Sequence, residues 1–448
     1  VDRESLLEDV RVRIRDRDAA GFHQLAEGAS PGDWSDVIPD LDPAEVAVLL
    51  QWLPDDELPD ILAELEPEDA ARILRTLARP FAADLLEAID PDDATDIIEE
   101  MTAAEAEAIL IAMEPDEAEE IRELLAYPPD TAGGRMTPAY VAVSPDLRAD
   151  QAVVALRRVA EEAETVNYVY VTDDDEKLLG VLSLHRLVLT SPSSVVRDLM
   201  ATGVITVEAT ADQEVAARML NDYHLLALPV IDEERHLLGI ITVDDVADIL
   251  EEEATEDIER LGGSQPLEEG YLRATPTLLW RRRVGWLLVL FFAGAYTSTI
   301  LRYFDDELQS AVALAFFIPL LIGIGGNVGS QVVTTIVRAM AVEQIRIRDT
   351  FRIVRKELQT GLMLSVVLAA AMFLRTVIMG VGADLGFVVA VSVTAIVLWA
   401  ATIAAVLPIL LRQLKVDPAV VSAPLITTLV DGTGLLIYFS VAKVVLDL

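Results

Sequence analysis

Cysteine is absent from the 448 residues, and histidine occurs only 4 times. Without cysteine there is no disulfide framework, no thiolate-bound metal and no thiol nucleophile. The histidines, His23, His185, His224 and His236, all precede the apolar part of the chain. None forms a His-Glu-x-x-His pair, which excludes an intramembrane metalloprotease, and a phosphate-binding P-loop and a Gly-x-Ser-x-Gly elbow are missing as well. Positive charge is scarce, with 34 Lys and Arg against 75 Asp and Glu, a net charge of −41. Phosphate repels a surface of that sign, so nucleic acid is not expected as a partner. The charged start, Arg3-Glu4, shows no secretory signal.

The composition that remains is divided along the chain. Hydrophobic residues make up 52% and the mean hydropathy is +0.39, values at odds with so large a charge unless the two properties occupy different segments. Residues 271–448 carry 15 basic and 10 acidic side chains, whereas the first 270 carry 19 and 65. A very acidic polar part thus precedes an apolar, weakly basic one, and the latter is too apolar for a disordered acidic protein. Five apolar segments follow Tyr271, near 284–301, 310–340, 358–381, 386–411 and 419–446. Each reaches the roughly 20 residues that span a bilayer. Arg281-Arg282-Arg283 precede the first; Arg346, Arg348, Arg352, Arg355 and Lys356 join the second to the third; Arg412 and Lys415 join the fourth to the fifth. These basic links fall on one side, which the positive-inside rule assigns to the cytoplasm. The acidic part is then expected in the cytoplasm, in a plasma or inner membrane protein, with the C-terminus outside.

Two features within the apolar segments point to chemistry. The second holds Pro319 and the run Gly323-Ile324-Gly325-Gly326-Asn327-Val328-Gly329-Ser330-Gln331. Small residues there allow close helix packing; polar groups at that depth also suit a wall lining water, and the second reading is favoured. The fifth holds Asp431, about twelve residues from its inner end, or roughly 18 Å deep and near the midplane. No Lys or Arg lies in 419–442 to pair with it, and an intramembrane acid marks an ion site by default. Arg375 lies towards the outer end of the third segment, where its side chain reaches water by snorkelling. Five spans make a poor closed pore alone. An isologous homodimer would bring two copies of Asp431 to one axis, with oxygens from Asn327, a set suited to a hard cation such as partly hydrated Mg²⁺.

The acidic part contains two repeats. Asp42-Pro43, Glu66-Pro67, Asp90-Pro91 and Glu114-Pro115 recur every 24 residues, with Leu53 to Asp56 and Thr102 to Glu105 near the half period. An acid before proline starts a helix, and apolar pairs such as Ile73-Leu74, Ile97-Ile98 and Ile109-Leu110 follow. The pattern predicts a superhelix of short helices stacked on their neighbours. In 136–250, Met136-Thr137 recurs as Met200-Ala201, Ala149-Asp150-Gln151 as Ala211-Asp212-Gln213, Val169 to Asp173 as Leu228 to Asp232, and Gly180-Val181-Leu182-Ser183 as Gly239-Ile240-Ile241-Thr242. Each copy reads strand, helix, strand, turn, strand, helix. It resembles a tandem pair of CBS domains, which implies a pseudo-symmetric α/β module that often dimerises and can bind an adenine nucleotide such as ATP. The family's ribose-binding Asp matches Asp245 in the second copy; the first copy has Arg186 there, after His185. The acidic run Glu251 to Glu259 continues as a helix towards the apolar part.

Taken together, these parts resemble the MgtE family of magnesium channels over essentially the whole chain. The most specific matches are Pro319 with Gly325-Gly326-Asn327-Val328-Gly329-Ser330-Gln331, and Asp417-Pro418-Ala419 leading to Pro424-Leu425-Ile426-Thr427-Thr428-Leu429-Val430-Asp431. The resemblance implies a multi-domain membrane protein. Its parts are an all-α helical-repeat domain over 1–130, tandem CBS domains over 131–250 (131–199 and 200–250), a connecting plug-type helix over 251–275 and five transmembrane helices over 276–448. It implies a homodimeric Mg²⁺ channel for uptake, not an enzyme, with Asp431 as the pore acid between the second and fifth spans. It further implies a cytoplasmic part that closes the pore when Mg²⁺ is plentiful, with sensing acids at Asp90, Asp245 and Asp248 and further candidates at Asp212, Glu214, Asp222 and Glu256. Acidic faces that repel when metal is scarce and approach when it binds provide the physical switch. About 5.5 kcal/mol of differential binding moves such an equilibrium from 1:99 to 99:1. Transport of Co²⁺ or Mn²⁺, or a membrane-anchored Mg²⁺ sensor that moves no ion, are the alternatives that the residues leave open.

Overall fold

The structure is a computed structural model; it describes every residue except 1, 2, 27, 161, 162, 268, 269, 272, 273, 343, 344, 415 and 448. Lys415, one of the basic link residues, lies outside the described residues, as do four positions of the connecting stretch 251–275. The chain forms two compact units, Val1–Glu251 and Glu252–Leu448.

The first unit opens with short helices: α1 Arg3–Asp16, α2 Ala19–Ala26, α3 Pro31–Val37, α4 Pro43–Trp52, α5 Leu58–Ala63, α6 Pro67–Leu74, α7 Arg79–Leu86, α8 Pro91–Glu99, α9 Ala103–Leu110 and α10 Pro115–Leu124. The 24-residue period is one pair of helices. Pro43, Pro67, Pro91 and Pro115 each take the first helical position, where the missing N–H costs nothing. Asp42 accepts the N–H groups of Ala44 and Glu45, both at 2.9 Å, and Thr102 and Glu105 form a reciprocal capping box. The half-period start differs at one point. Residues 54–57 form a turn, and the next helix begins at Leu58 with Pro59 in its first turn. The apolar pairs Ile73-Leu74, Ile97-Ile98 and Ile109-Leu110 are buried in one continuous core, the nearest-neighbour stacking of a superhelix.

The repeats of 136–250 form two matching three-stranded sheets. The first comprises β1 Ala142–Val143, α11 Ala149–Val159, β2 Tyr168–Thr172, β3 Leu178–Ser183 and α12 Leu184–Leu189, with α13 Val196–Leu199 leading to the second copy. The second comprises β4 Val207–Glu208, α14 Gln213–Tyr223, β5 Ala227–Ile231, β6 Leu237–Thr242 and α15 Asp245–Gly262. In each sheet the outer pair is parallel and the hairpin antiparallel, with Tyr170 opposite Val181 and Pro229 opposite Ile240. A cluster of Tyr170, Leu178, Ala227, Ile231, Leu237 and Ile240 joins the two copies. Helix α15 is unbroken from Asp245 to Gly262, so the acidic run after residue 251 continues the helix that begins in the second copy.

Among the described residues of the second unit, five helical stretches are long and apolar enough to cross a membrane. They contain α16 Pro276–Tyr303, then, after the short α17 Asp305–Ser310, α18 Ile318–Ala341, α19 Thr350–Met379, α20 Ala383–Gln413 and α21 Ala423–Leu446. They outrun the apolar segments, because their ends carry charge that stays in helical register. Two boundaries differ from the sequence reading. Residues Val312–Phe317 form a 3₁₀ turn ahead of α18, which begins just before Pro319. Residues Pro418–Val420 form another, so α21 starts at Ala423, capped by Ser422. Prolines at 319, 418 and 424 set these starts, since a first turn does not need the N–H that proline lacks. Gly380, at φ +68°, ends α19.

Candidate functional site

Asp431 is the ninth residue of α21, ~12 Å along a helix of ~36 Å at about 1.5 Å per residue. It therefore lies a third of the way along the helix rather than at its middle, because the 3₁₀ turn precedes the helix proper. Its Oδ1 is buried and has no hydrogen-bond partner. The surrounding polar groups are occupied. Thr427 and Thr428 hydroxyls donate to the carbonyls of Ala423 and Pro424, and Thr433 Oγ1 accepts Trp399 Nε1 at 2.9 Å while donating to Leu429 O at 2.7 Å. A buried carboxylate oxygen without a donor is costly in hydrocarbon unless a cation or water reaches it.

Helix α18 sorts its unusual run by face. Gly325, Gly326 and Gly329 are buried. A Cβ at Gly325 would lie 2.7 Å from both Ile396 and Val430, and one at Gly326 2.8 Å from Thr427. Glycine is thus what lets α18 lie against α20 and α21. Gly323, Asn327 and Gln331, spaced by four, are exposed on the opposite face. Close packing thus takes one side of the helix, and the exposed Asn327 and Gln331 lie on the other. Asn327 and Asp431 lie on α18 and α21, which pack together. Just ahead of α21 the contacts are polar. Arg260, near the end of α15, forms ion pairs with Glu256 and with Asp417, which precedes α21.

A second acidic site forms within the first unit. Asp90, Asp92 and Asp93 at the start of α8, Glu164 before β2, and Asp244 and Asp245 at the start of α15 act on one another electrostatically. Burial, and then Asp245, Asp90, Asp96 and Asp244, push the Asp93 carboxyl up to about 7. Burial, followed by Asp90, Asp245, Asp244 and Asp93, pushes Glu164 up to about 8. Asp92 is raised well above the usual carboxylate range by burial and then by Asp245, and its Oδ1 is buried without a partner. Asp90 is raised by burial, which its contact with the Glu164 side chain opposes and the Asp244 charge reinforces. Asp245 is raised by burial, and this is opposed by the Thr242 N–H and hydroxyl, both donating to it at 3.0 Å. Beside the cluster, Arg135 donates to Asp96 of α8 at 3.0 Å and to Gln213 of α14 at 2.9 Å, fixing α8 against the second copy.

The structure thus brings Asp90 and Asp245 together, with Asp248 close enough to act on Asp245. The other candidates are engaged or apart. Asp212 accepts the Glu214 N–H at 2.9 Å as the cap of α14, Glu214 pairs with Arg218, Glu256 pairs with Arg260, and Asp222 is exposed near the end of α14. Among the described residues no three acidic or histidine side chains converge closely enough to hold an ion directly. The sequence reading missed Asp92, Asp93, Glu164 and Asp244. The first two follow the Asp90-Pro91 helix start, where acids are ordinary, and Glu164 belongs to no motif. The contrast of Asp244-Asp245 with His185-Arg186 was the available signal.

Residues 318–441 match the MgtE family model, described as a divalent cation transporter, residues 29–130 the MgtE intracellular N domain, and 132–191 and 196–252 the CBS domain. The chain is 46% identical over 324 residues to the magnesium transporter MgtE of Thermus thermophilus, covering 72% of each. It is 39% identical over 319 residues to that of Bacillus subtilis, covering 71% of this chain and 70% of the relative. The soluble part of a magnesium transporter aligns with a TM-score of 0.51 at 30% identity, over 56% of this chain and 100% of that one. The cytosolic domain of the Mg²⁺ channel MgtE in complex with ATP aligns at 0.52 and 34%, over 54% and 99%.

Proposed function

We propose that this chain, which belongs to the MgtE family of divalent cation transporters, works as a homodimeric Mg²⁺-selective channel for uptake that closes when intracellular Mg²⁺ is high. The family transports magnesium, and its CBS pair is regulatory. The observation that carries the reading is the buried Asp431 Oδ1, which has neither donor nor counter-ion among the described residues of α16 to α21. A carboxylate kept in this way attracts a cation, and two copies about a dimer axis would attract a divalent one. Mg²⁺ sheds water reluctantly, so it would pass Asp431 and Asn327 with most of its shell intact.

Regulation would reside in the cluster of Asp90, Asp92, Asp93, Glu164, Asp244 and Asp245. Without metal these acids repel or hold protons; a hydrated divalent ion among them would hold α8 on the CBS pair. Helix α15 carries Asp245 in its first turn and Arg260 near its last, which makes it the element through which the cluster would act. The acidic part would face the cytoplasm, where this Mg²⁺ is sensed, and the C-terminus would face outward. ATP, which the relative's cytosolic domain holds, would find a ribose acceptor in one copy of the CBS pair and not in the other. A ribose diol needs an acceptor. Arg186 in the first copy cannot accept; Asp245 in the second takes both Thr242 donors on Oδ2, which leaves Oδ1 for a ribose hydroxyl, although the neighbouring acids repel a triphosphate.

Flux into liposomes reconstituted with the full chain tests the reading. Wild type should admit external Mg²⁺ and slow as internal Mg²⁺ is raised, and Asp431→Ala should lose selective conduction. Selective Mg²⁺ flux through the Asp431→Ala variant would sink the pore assignment.

A further inference from the structure

Helix α16 is the least embedded of the five long helices, with no fully buried residue. It packs chiefly on α21. Trp286 Nε1 donates to Ser422 Oγ at 3.1 Å, and Gly294 lies against the Thr428 methyl. Tyr296 makes the third contact, at the turn that holds Asp431. Its hydroxyl lies 2.9 Å from Thr428 O and 2.6 Å from Leu429 O, donating to this pair of carbonyls. Its ring fills a notch left by Gly432, where any Cβ would overlap it. The fit is reciprocal: Gly432 admits the ring, and the ring brings the hydroxyl to the backbone two and three residues before Asp431.

The hydroxyl is spent on backbone carbonyls, while the neighbouring Asp431 Oδ1 is left without a donor. A tyrosine so close could have neutralised the acid by donating to it. Here it holds the acid's peptide frame and leaves the carboxylate oxygen free for an ion. The same turn is held from the other side, because Trp399 of α20 donates to Thr433 Oγ1, which donates in turn to Leu429 O. Leu429 O is thus shared by clamps from α16 and α20.

We infer that Tyr296 is a positioning residue for ion selection: with Gly432 it fixes the Thr428–Asp431 turn so that the carboxylate meets the permeating ion in one geometry. The inference rests on the reading of Asp431 as the pore acid. Its consequence concerns selectivity more than throughput. Mg²⁺ demands near-octahedral geometry, whereas Ca²⁺ accepts irregular shells. A turn freed to shift would lose discrimination between them first.

The test measures initial Mg²⁺ and Ca²⁺ fluxes through the full chain in liposomes, alongside its melting temperature. Tyr296→Phe keeps the ring and removes the hydroxyl. It should lower the Mg²⁺ to Ca²⁺ rate ratio by about three- to tenfold, the range that one hydrogen bond is worth. Gly432→Ala, which forces the ring out from the other side, should shift the ratio in the same direction and supplies the reading if Tyr296→Phe fails to fold. Trp286→Phe loosens the same helix pair about ten residues away; it should lower the melting temperature and leave the ratio unchanged. An unchanged ratio in Tyr296→Phe and Gly432→Ala, or an equal shift in Trp286→Phe, overturns the positioning role while leaving the pore assignment intact. Asp431→Ala run in parallel separates the two, because a selective flux there removes the pore reading itself.

Discussion

Asp93 and Glu164 show what six acids cost one another when burial and topology gather them without a counter-ion. Their folded pKa values, about 7 and about 8, lie above the unfolded carboxylate value of about 4. At these two groups the folded state therefore binds more protons, so their contribution to stability is full below about pH 4, is lost as pH rises and levels off above about pH 8. In chelator, the melting temperature of the full chain's soluble part should fall between pH 5 and 8. Asp93→Asn should raise it at pH 8 by ~2–4 °C, the shift that about one kcal/mol makes in a unit of this size. Tens of millimolar Mg²⁺ should flatten the slope, and a flat profile in chelator would count against the repulsive cluster. Asp431 contrasts with these acids. It stands alone, its burial comes from helix packing, and its value to the protein depends on an unspent oxygen.

At the scale of the element, α18 separates two uses of small residues along one helix. Gly325 faces Ile396 and Val430, where an added Cβ would come within 2.7 Å of both. Gly323, two residues earlier, has nothing within 4 Å. Gly325→Val should therefore cost ~1–3 kcal/mol through overpacking, seen as a lower melting temperature and less monodisperse protein in detergent. Gly323→Ala should fold like wild type. Equal stability for the two variants would contradict the packing of α18 on α20 and α21. Helix α15 shows a related economy. Its first residue, Asp245, belongs to the acidic cluster, and its last turn supplies Arg260 to Asp417.

At the scale of the whole molecule, a net charge of −41 opposes compaction unless cations offset it. Limited proteolysis of the full chain reads this directly. Raising Mg²⁺ from nominally zero to tens of millimolar should protect the first unit from cleavage, and Asp90→Asn together with Asp245→Asn should shift the half-protecting concentration upward. Cleavage that ignores Mg²⁺ would argue against gating by the cluster.

The linear sequence by itself determined the order of parts: the proline-marked helix pairs, the doubled β-α-β-β copies, the five apolar helices and a lone acid in the last of them. Each rests on local periodicity or composition, which chain connectivity cannot disguise. It also exposed Arg186 where the second copy has Asp245, because the two copies align residue by residue. Only the tertiary structure decided which acids meet. Asp92, Asp93 and Glu164 are separated from Asp244 and Asp245 by about 80 residues or more, and no spacing rule connects them. It likewise decided that Tyr296 enters the notch at Gly432, 136 positions on. A residue's neighbours along the chain are set by covalent order, whereas its neighbours across a helix interface depend on how whole side-chain surfaces fit, which no single segment encodes.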